Sequence, residues 1–185
     1  LLPPIAGLKD RIDNENHNIY SILGMISHIN DFPKDLEGKK VVVVGGGAVG
    51  LDVVEFFADR NADISIVEMM DQIGRDLDPV SKNDTKTMMK KHNVHQLTKT
   101  ALLEVKDSSF LVRGDGEPYE LPFEYGFVCL GMRAQGQLYQ NLTEEFSSED
   151  VEIMNIGDSQ RARRIIDGTQ EGRNILTVLE QKGYL

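Results

Sequence analysis

The run KKVVVVGGGAVGLDVVEFF, from Lys39 to Phe57, constrains the fold more than any other part of the chain. Val41 to Val44 show no polar alternation, the pattern of a strand covered on both faces within a parallel sheet. The strand stops at glycines and gives way to LDVVEFFADRN, where Val53, Val54 and Phe57 share one helical face while Asp52, Glu55 and Asp59 lie on others. Asn61 is placed to end that helix in a left-handed conformation. DISIVEM then reads as a second short strand, so Lys39 to Met69 has the size of a βαβ crossover.

Downstream, Asp78 is a helix cap with Pro79 at the first helical position, ahead of a segment that closes on basic residues. From His95 to Val128 the pattern is strand-like and broken by the turn signals DSS and GDGEP, which reads as an antiparallel insertion returning to the main sheet through GFVCLG. Residues 1–35 are irregular apart from YSILGMISHI, a short helix by its weak periodicity, and form a lead-in segment. EDVEIMNIGDSQ offers one more short strand ending at Gly157 and Asp158, and RRIIDGTQEGRNILTVLEQK one terminal helix. The expected fold is α/β: a Rossmann-type nucleotide-binding domain over residues 36–135, with a central parallel sheet and an antiparallel β insertion, followed by a further piece over 136–185. Because the chain opens at Leu1 in a proline-rich stretch without a methionine, a fragment of a longer protein is expected.

Gly45, Gly47 and Gly50 spell GxGxxG where an apolar strand meets a helix. Each glycine has a separable task in holding a dinucleotide: a tight turn at Gly45, close approach of pyrophosphate at Gly47, and helix-to-strand packing at Gly50. The first helical amides, at Ala48, Val49 and Gly50, would face the phosphates with the positive end of the helix dipole. Glu68 ends the second strand, with Met69 beside it, where a carboxylate accepts hydrogen bonds from the adenosine ribose hydroxyls. The same charge repels a 2′-phosphate, and no Arg or Lys follows before Arg75, so NADH is favoured over NADPH.

Other chemistry is excluded or unmarked. With 30 acidic against 20 basic side chains, the net charge of −10 disfavours nucleic acid and anionic membranes as partners. Cys129 is the only cysteine, which rules out an internal disulfide or a CxxC pair and reads as a buried structural thiol. His17, His28, His92 and His95 lack metal-ligand spacing, RARR at 161–164 reads as surface charge, and no catalytic constellation is recognisable. No stretch approaches the roughly 18 apolar residues of a membrane span, and no signal peptide is visible. A reducing cytoplasm is the expected location.

Three stretches, KKVVVVGGGAVGLDVVEFFADRNADISIVEMMDQIGRDLDP, VCLGMRAQ and IMNIGDSQRARRIIDGTQEGRNI, resemble in that order the nicotinamide-binding domain of two-dinucleotide flavoprotein oxidoreductases. The likeness is nearest to the C-terminal region of the multidomain old-yellow-enzyme relatives, the 2,4-dienoyl-CoA reductases, 2-enoate reductases and NADH:flavin oxidoreductases. It implies that NADH binds here and that residues 1–35 and 136–185 are parts of an FAD-binding domain into which the nicotinamide domain is inserted. It also implies that Gly131 lies near the nicotinamide nucleotide and that Gly157 and Asp158 match the GD pair that contacts FAD. A barrel bearing FMN and an iron–sulfur centre belongs to the full-length proteins of that group, where electrons reach an enoate or enoyl substrate. No second GxGxxG occurs in this chain, so the resemblance assigns FAD to the full-length protein. Val54 and Asn61 depart from the family's usual small residue and glycine without blocking a nucleotide. An interrupted flavin domain leaves apolar surface bare, and a homo-oligomer is the expected way to cover it. Two alternatives share the domain: a pyridine nucleotide-disulfide reductase or NADH oxidase, and a non-catalytic dinucleotide-binding module.

Overall fold

Strands with apolar residues on both faces must be covered on both, and the architecture of the first 131 residues answers that demand. The computed structural model describes residues 5–149 and 151–184. The chain divides into two units, Leu1–Gly131 and Met132–Leu185.

In the first unit the strands are β1 (Ile19–Tyr20), β2 (Lys40–Val44), β3 (Asp63–Val67), β4 (His95–Leu97), β5 (Ala101–Val105), β6 (Ser109–Arg113), β7 (Tyr119–Pro122) and β8 (Tyr125–Val128). The helices are α1 (Leu8–Arg11), α2 (Ile22–Ser27), α3 (Ala48–Ala58) and α4 (Pro79–Lys91). Five strands form a parallel sheet in the order β1-β8-β2-β3-β4, so the valine run is its middle strand. Val41 and Val43 point into a core shared with Val53, Val54 and Phe57 of α3 and Met89 of α4. Val42 and Val44 point the other way, onto Val105, Phe110 and Val112 of the antiparallel sheet β5-β6-β7. That meander is the crossover from β4 to β8, a connection a helix makes in most parallel sheets.

Local signals explain the helix ends. Asp78 accepts from the N–H groups of Val80 (3.0 Å) and Ser81 (3.1 Å), with Pro79 next to it at the start of α4. Asn61 has φ of 60° and its side chain donates to Asp35 at 3.2 Å.

The segment set apart as a lead-in is part of this unit. Its β1 pairs with β8, Ile19 opposite Gly126, and Leu8 is buried in the second core with Val42 and Val44. A two-residue strand has too little length to show a period, and it exists because β8 offers a free edge.

The second unit contains α5 (Gln137–Glu145), a single 3₁₀ turn (Gly157–Ser159), α6 (Ile165–Arg173) and α7 (Ile175–Gln181). The strand expected ahead of Gly157 does not form: residues 151–156 have no regular structure, because a strand needs a hydrogen-bonded neighbour and this unit, among its described residues, has none. The single terminal helix is two, meeting at Asn174. None of the described side chains of this unit is buried.

Phe57 is fully buried against Phe32, Phe56, Tyr125 and Phe127, with ring centroids 4.8 to 6.4 Å away. Phe57→Ala is expected to cost about 3–5 kcal/mol, read as a fall in the urea midpoint at unchanged slope.

Candidate dinucleotide site

Val44 stands in register with Val67 of β3 and Val128 of β8, so three strand ends finish level. The residues that follow, Gly45, Glu68 and Cys129, therefore lie side by side. Gly45 donates to the Val67 carbonyl at 2.8 Å and Cys129 to the Val44 carbonyl at 2.7 Å, extending the ladder one residue past the strands. From β2 the chain moves to β3 on one side, and it returns as β8 on the other, so the boundary between β2 and β8 is the switch point where such sheets open a crevice.

The glycines divide by what surrounds them. Gly45 has φ of +108°, and a Cβ there would stand 2.1 Å from the Cys129 carbonyl oxygen. A Cβ on Gly50 would stand 1.9 Å from the Gly45 carbonyl oxygen, whereas the nearest strand side chain, Val43, is 3.6 Å away. Gly50 thus packs on the turn itself more closely than on the strand. Gly47 is exposed, has φ of −79°, and a Cβ there would meet nothing within 4 Å. The fold needs Gly45 and Gly50; it does not need Gly47.

Leu51 N–H to the Gly47 carbonyl, 3.1 Å, is the first bond of α3. The N–H groups of Ala48, Val49 and Gly50 precede it, and no side chain caps this end.

Glu68 is half-buried one residue past β3. One carboxylate oxygen accepts from Gly46 N–H at 2.6 Å and the other from Met70 N–H at 2.7 Å. Two bonds leave a carboxylate with lone pairs for ribose hydroxyls. Met69, beside it, is 69% exposed. Gly46, a variable position in GxGxxG, is a member of the site that the motif conceals: it is buried, and its carbonyl accepts from Gly74 N–H at 2.7 Å.

Gly131 closes the first unit, exposed, with φ of +81° and nothing within 4 Å of a Cβ. Gly157 and Asp158 belong to the second unit. There Gly157 N–H donates to the Glu171 carboxylate at 2.7 Å, a bond that, with the Arg163 guanidinium, holds Glu171 below the usual carboxylate range. Asp158 is exposed, and one of its oxygens accepts from Arg163 N–H at 3.2 Å. Arg163 pairs with Glu171 and Arg164 with Asp167, so two of the three arginines of the RARR run are spent on local ion pairs. Burial, with a smaller effect of Asp52, pushes the Cys129 thiol up to about 12. Among the described residues no three potential metal ligands converge.

A parallel sheet with a glycine turn at its switch point and an acid ending the next strand defines a dinucleotide-binding α/β domain. The chain belongs to the pyridine nucleotide-disulphide oxidoreductase family, whose model matches residues 2–155. It is 26% identical to a metal reductase of Desulforamulus reducens over 74% of this chain and 24% of that protein. It is 25% identical to an NADH oxidase of Thermoanaerobacter brockii over 91% of this chain and 25% of that protein. Among solved structures, a 2-naphthoyl-CoA reductase in complex with 2-naphthoyl-CoA superposes with a TM-score of 0.69 at 20% identity, over 93% of this chain and 24% of that one. The chain spans about a quarter of the length of these proteins. No helix among the described residues is long and apolar enough to cross a membrane.

NAD(H) and FAD are the family's cofactors. The cradle fits the first: open space over Gly47, amides at the start of α3 that no side chain caps, and a half-buried carboxylate just past the next strand. For FAD the second unit offers the exposed Asp158 carboxylate.

Gly47→Ala should stay within about 1 kcal/mol of the parent in stability, the cost of alanine at a helix cap. Gly50→Ala should lose ~3 kcal/mol or more through the clash with the turn carbonyl. Thermal unfolding of the two variants tests the division. Cys129 should also react with iodoacetamide at pH 8 about a hundredfold or more slowly than a free thiol until the chain unfolds, since so little of it is thiolate.

Proposed function

We propose that this chain binds NADH, with the pyrophosphate on the turn Gly45 to Gly50 and the adenosine ribose on Glu68, as the nicotinamide-binding part of a flavin-dependent oxidoreductase. The observation that carries the reading is Gly47. The fold explains the other two glycines of the motif, but at this position a side chain would have room and a relaxed backbone. A glycine at a position where the chain itself does not require one fits a ligand that lies against the backbone.

The residues have separate tasks. The Ala48, Val49 and Gly50 amides and the α3 dipole would neutralise the pyrophosphate. Glu68 would orient the ribose and disfavour a 2′-phosphate. Gly131, two residues beyond Cys129 at the switch point, would border the nicotinamide half, and Gly157 and Asp158 would contact FAD. When bound, the nicotinamide supplies a hydride that a flavin accepts; this chain's side chains supply position. In the intact protein we place the electrons' destination at an activated carbon–carbon double bond of an enoate or enoyl substrate. An acyl-CoA reductase shares this fold, which supports that assignment.

In fluorescence titrations NADH should saturate the protein, with NADPH binding about tenfold or more weakly. Gly47→Ala should weaken NADH by a similar factor without unfolding the domain. Saturation by neither nucleotide would sink the reading. For the whole protein, NADH oxidation dependent on an enoyl thioester supports the double-bond assignment, and turnover with only dioxygen or a disulfide would replace it with an oxidase or disulfide reductase.

A further inference from the structure

Glycine turns are entropically expensive to hold, since each glycine gains more freedom on release than any other residue. In this turn one peptide is nevertheless held at both ends. Gly46 donates its N–H to Glu68 at 2.6 Å, and its carbonyl accepts from Gly74 N–H at 2.7 Å. A Cβ at Gly46 would lie 3.0 Å from the same Glu68 oxygen and 3.1 Å from Ile73, so the carboxylate and the loop pack directly on that peptide. The other Glu68 oxygen takes Met70 N–H at 2.7 Å. The carboxylate therefore bridges two segments: the turn between β2 and α3, and the loop from Met69 to Leu77 that leaves β3.

We propose that Glu68 is the positioning residue of the glycine turn: its bridge between Gly46 and Met70 fixes the turn before any nucleotide arrives, in addition to its role toward the ribose. This deepens the NADH reading and rests on it for the ligand, while the bridge itself is a property of the protein without ligand. Both backbone donors point at one carboxylate, and a hydrogen bond to a charged acceptor is about twice as strong as a neutral one. The consequence concerns specificity. Removing the charge should admit a 2′-phosphate only where the replacement still holds Gly46. Glutamine retains an acceptor oxygen of the same reach; alanine does not.

The test compares the parent with Glu68→Gln and Glu68→Ala by amide exchange at Gly46 without nucleotide, then by NADH and NADPH titration. Gly46 exchange should rise about tenfold or more in Glu68→Ala, the loss of a bond worth roughly 1.5–3 kcal/mol. In Glu68→Gln it should rise less than in Glu68→Ala, because the amide oxygen still accepts from Gly46 although the bond is now neutral and the amide NH2 cannot accept from Met70. NADPH should gain relative to NADH in Glu68→Gln, and Glu68→Ala should bind both more weakly than Glu68→Gln. Unchanged Gly46 exchange in Glu68→Ala, or an equal gain of NADPH in the two variants, overturns the proposal. Should Glu68→Ala fail to fold, Glu68→Asp takes its place: it keeps the charge, shortens the reach by a methylene, and must also release Gly46. Failure of the parent to bind either nucleotide would defeat the NADH reading, whereas the exchange data judge the bridge independently.

Discussion

The approach of β8 to the end of β2 governs everything around the cradle. Val44 and Val128 pair in register, and the next residue of each strand continues the ladder, which brings the Cys129 carbonyl to where a side chain on residue 45 would begin. Only glycine survives there. Its φ of +108° turns the chain sharply back over the sheet, and its own carbonyl then occupies the space a side chain at residue 50 would need. Close packing thus fixes two glycines in succession, and the start of α3 follows the turn with no side chain capping it. An uncapped helix end is here a by-product of strand register.

The register in turn depends on coverage. A short parallel strand of four buried valines holds its position only if both faces are sealed, and this chain seals them by different means. Helices α3 and α4 cover Val41 and Val43, while the β5-β6-β7 meander covers Val42 and Val44. Because the meander is also the crossover into β8, the element that seals one face delivers the strand whose carbonyl shapes the turn. Damage to the Phe110 and Val112 side of the core should therefore reach the site through β8.

What was legible in the sequence was whatever is encoded within one element. The valine run, the Asp78–Pro79 cap, the left-handed Asn61 and the hairpin turns each act through neighbours a few residues away, and each appears where its pattern points. Features that arise from pairing across the chain were hidden. β1 owes its existence to β8, more than 100 residues later, and the strand expected at 151–156 is missing for lack of any such partner. Gly46 shows the same limit within the site: the motif treats it as variable, and its importance comes from a carboxylate 22 residues away.

The side chains at the cradle also suggest how labour is divided in proteins built on this domain. Cys129, its one thiol, is held protonated by burial, with a pKa of about 12, and so is a poor nucleophile. Glu68 bonds the glycine turn directly, and both of its oxygens are engaged with backbone amides. A group fixed in that way is held in a single orientation. Among the described residues the cradle therefore contributes geometry and charge: a rigid turn, a helix end and one fixed carboxylate. Its most informative residue is Gly47, a position defined by the space it leaves empty.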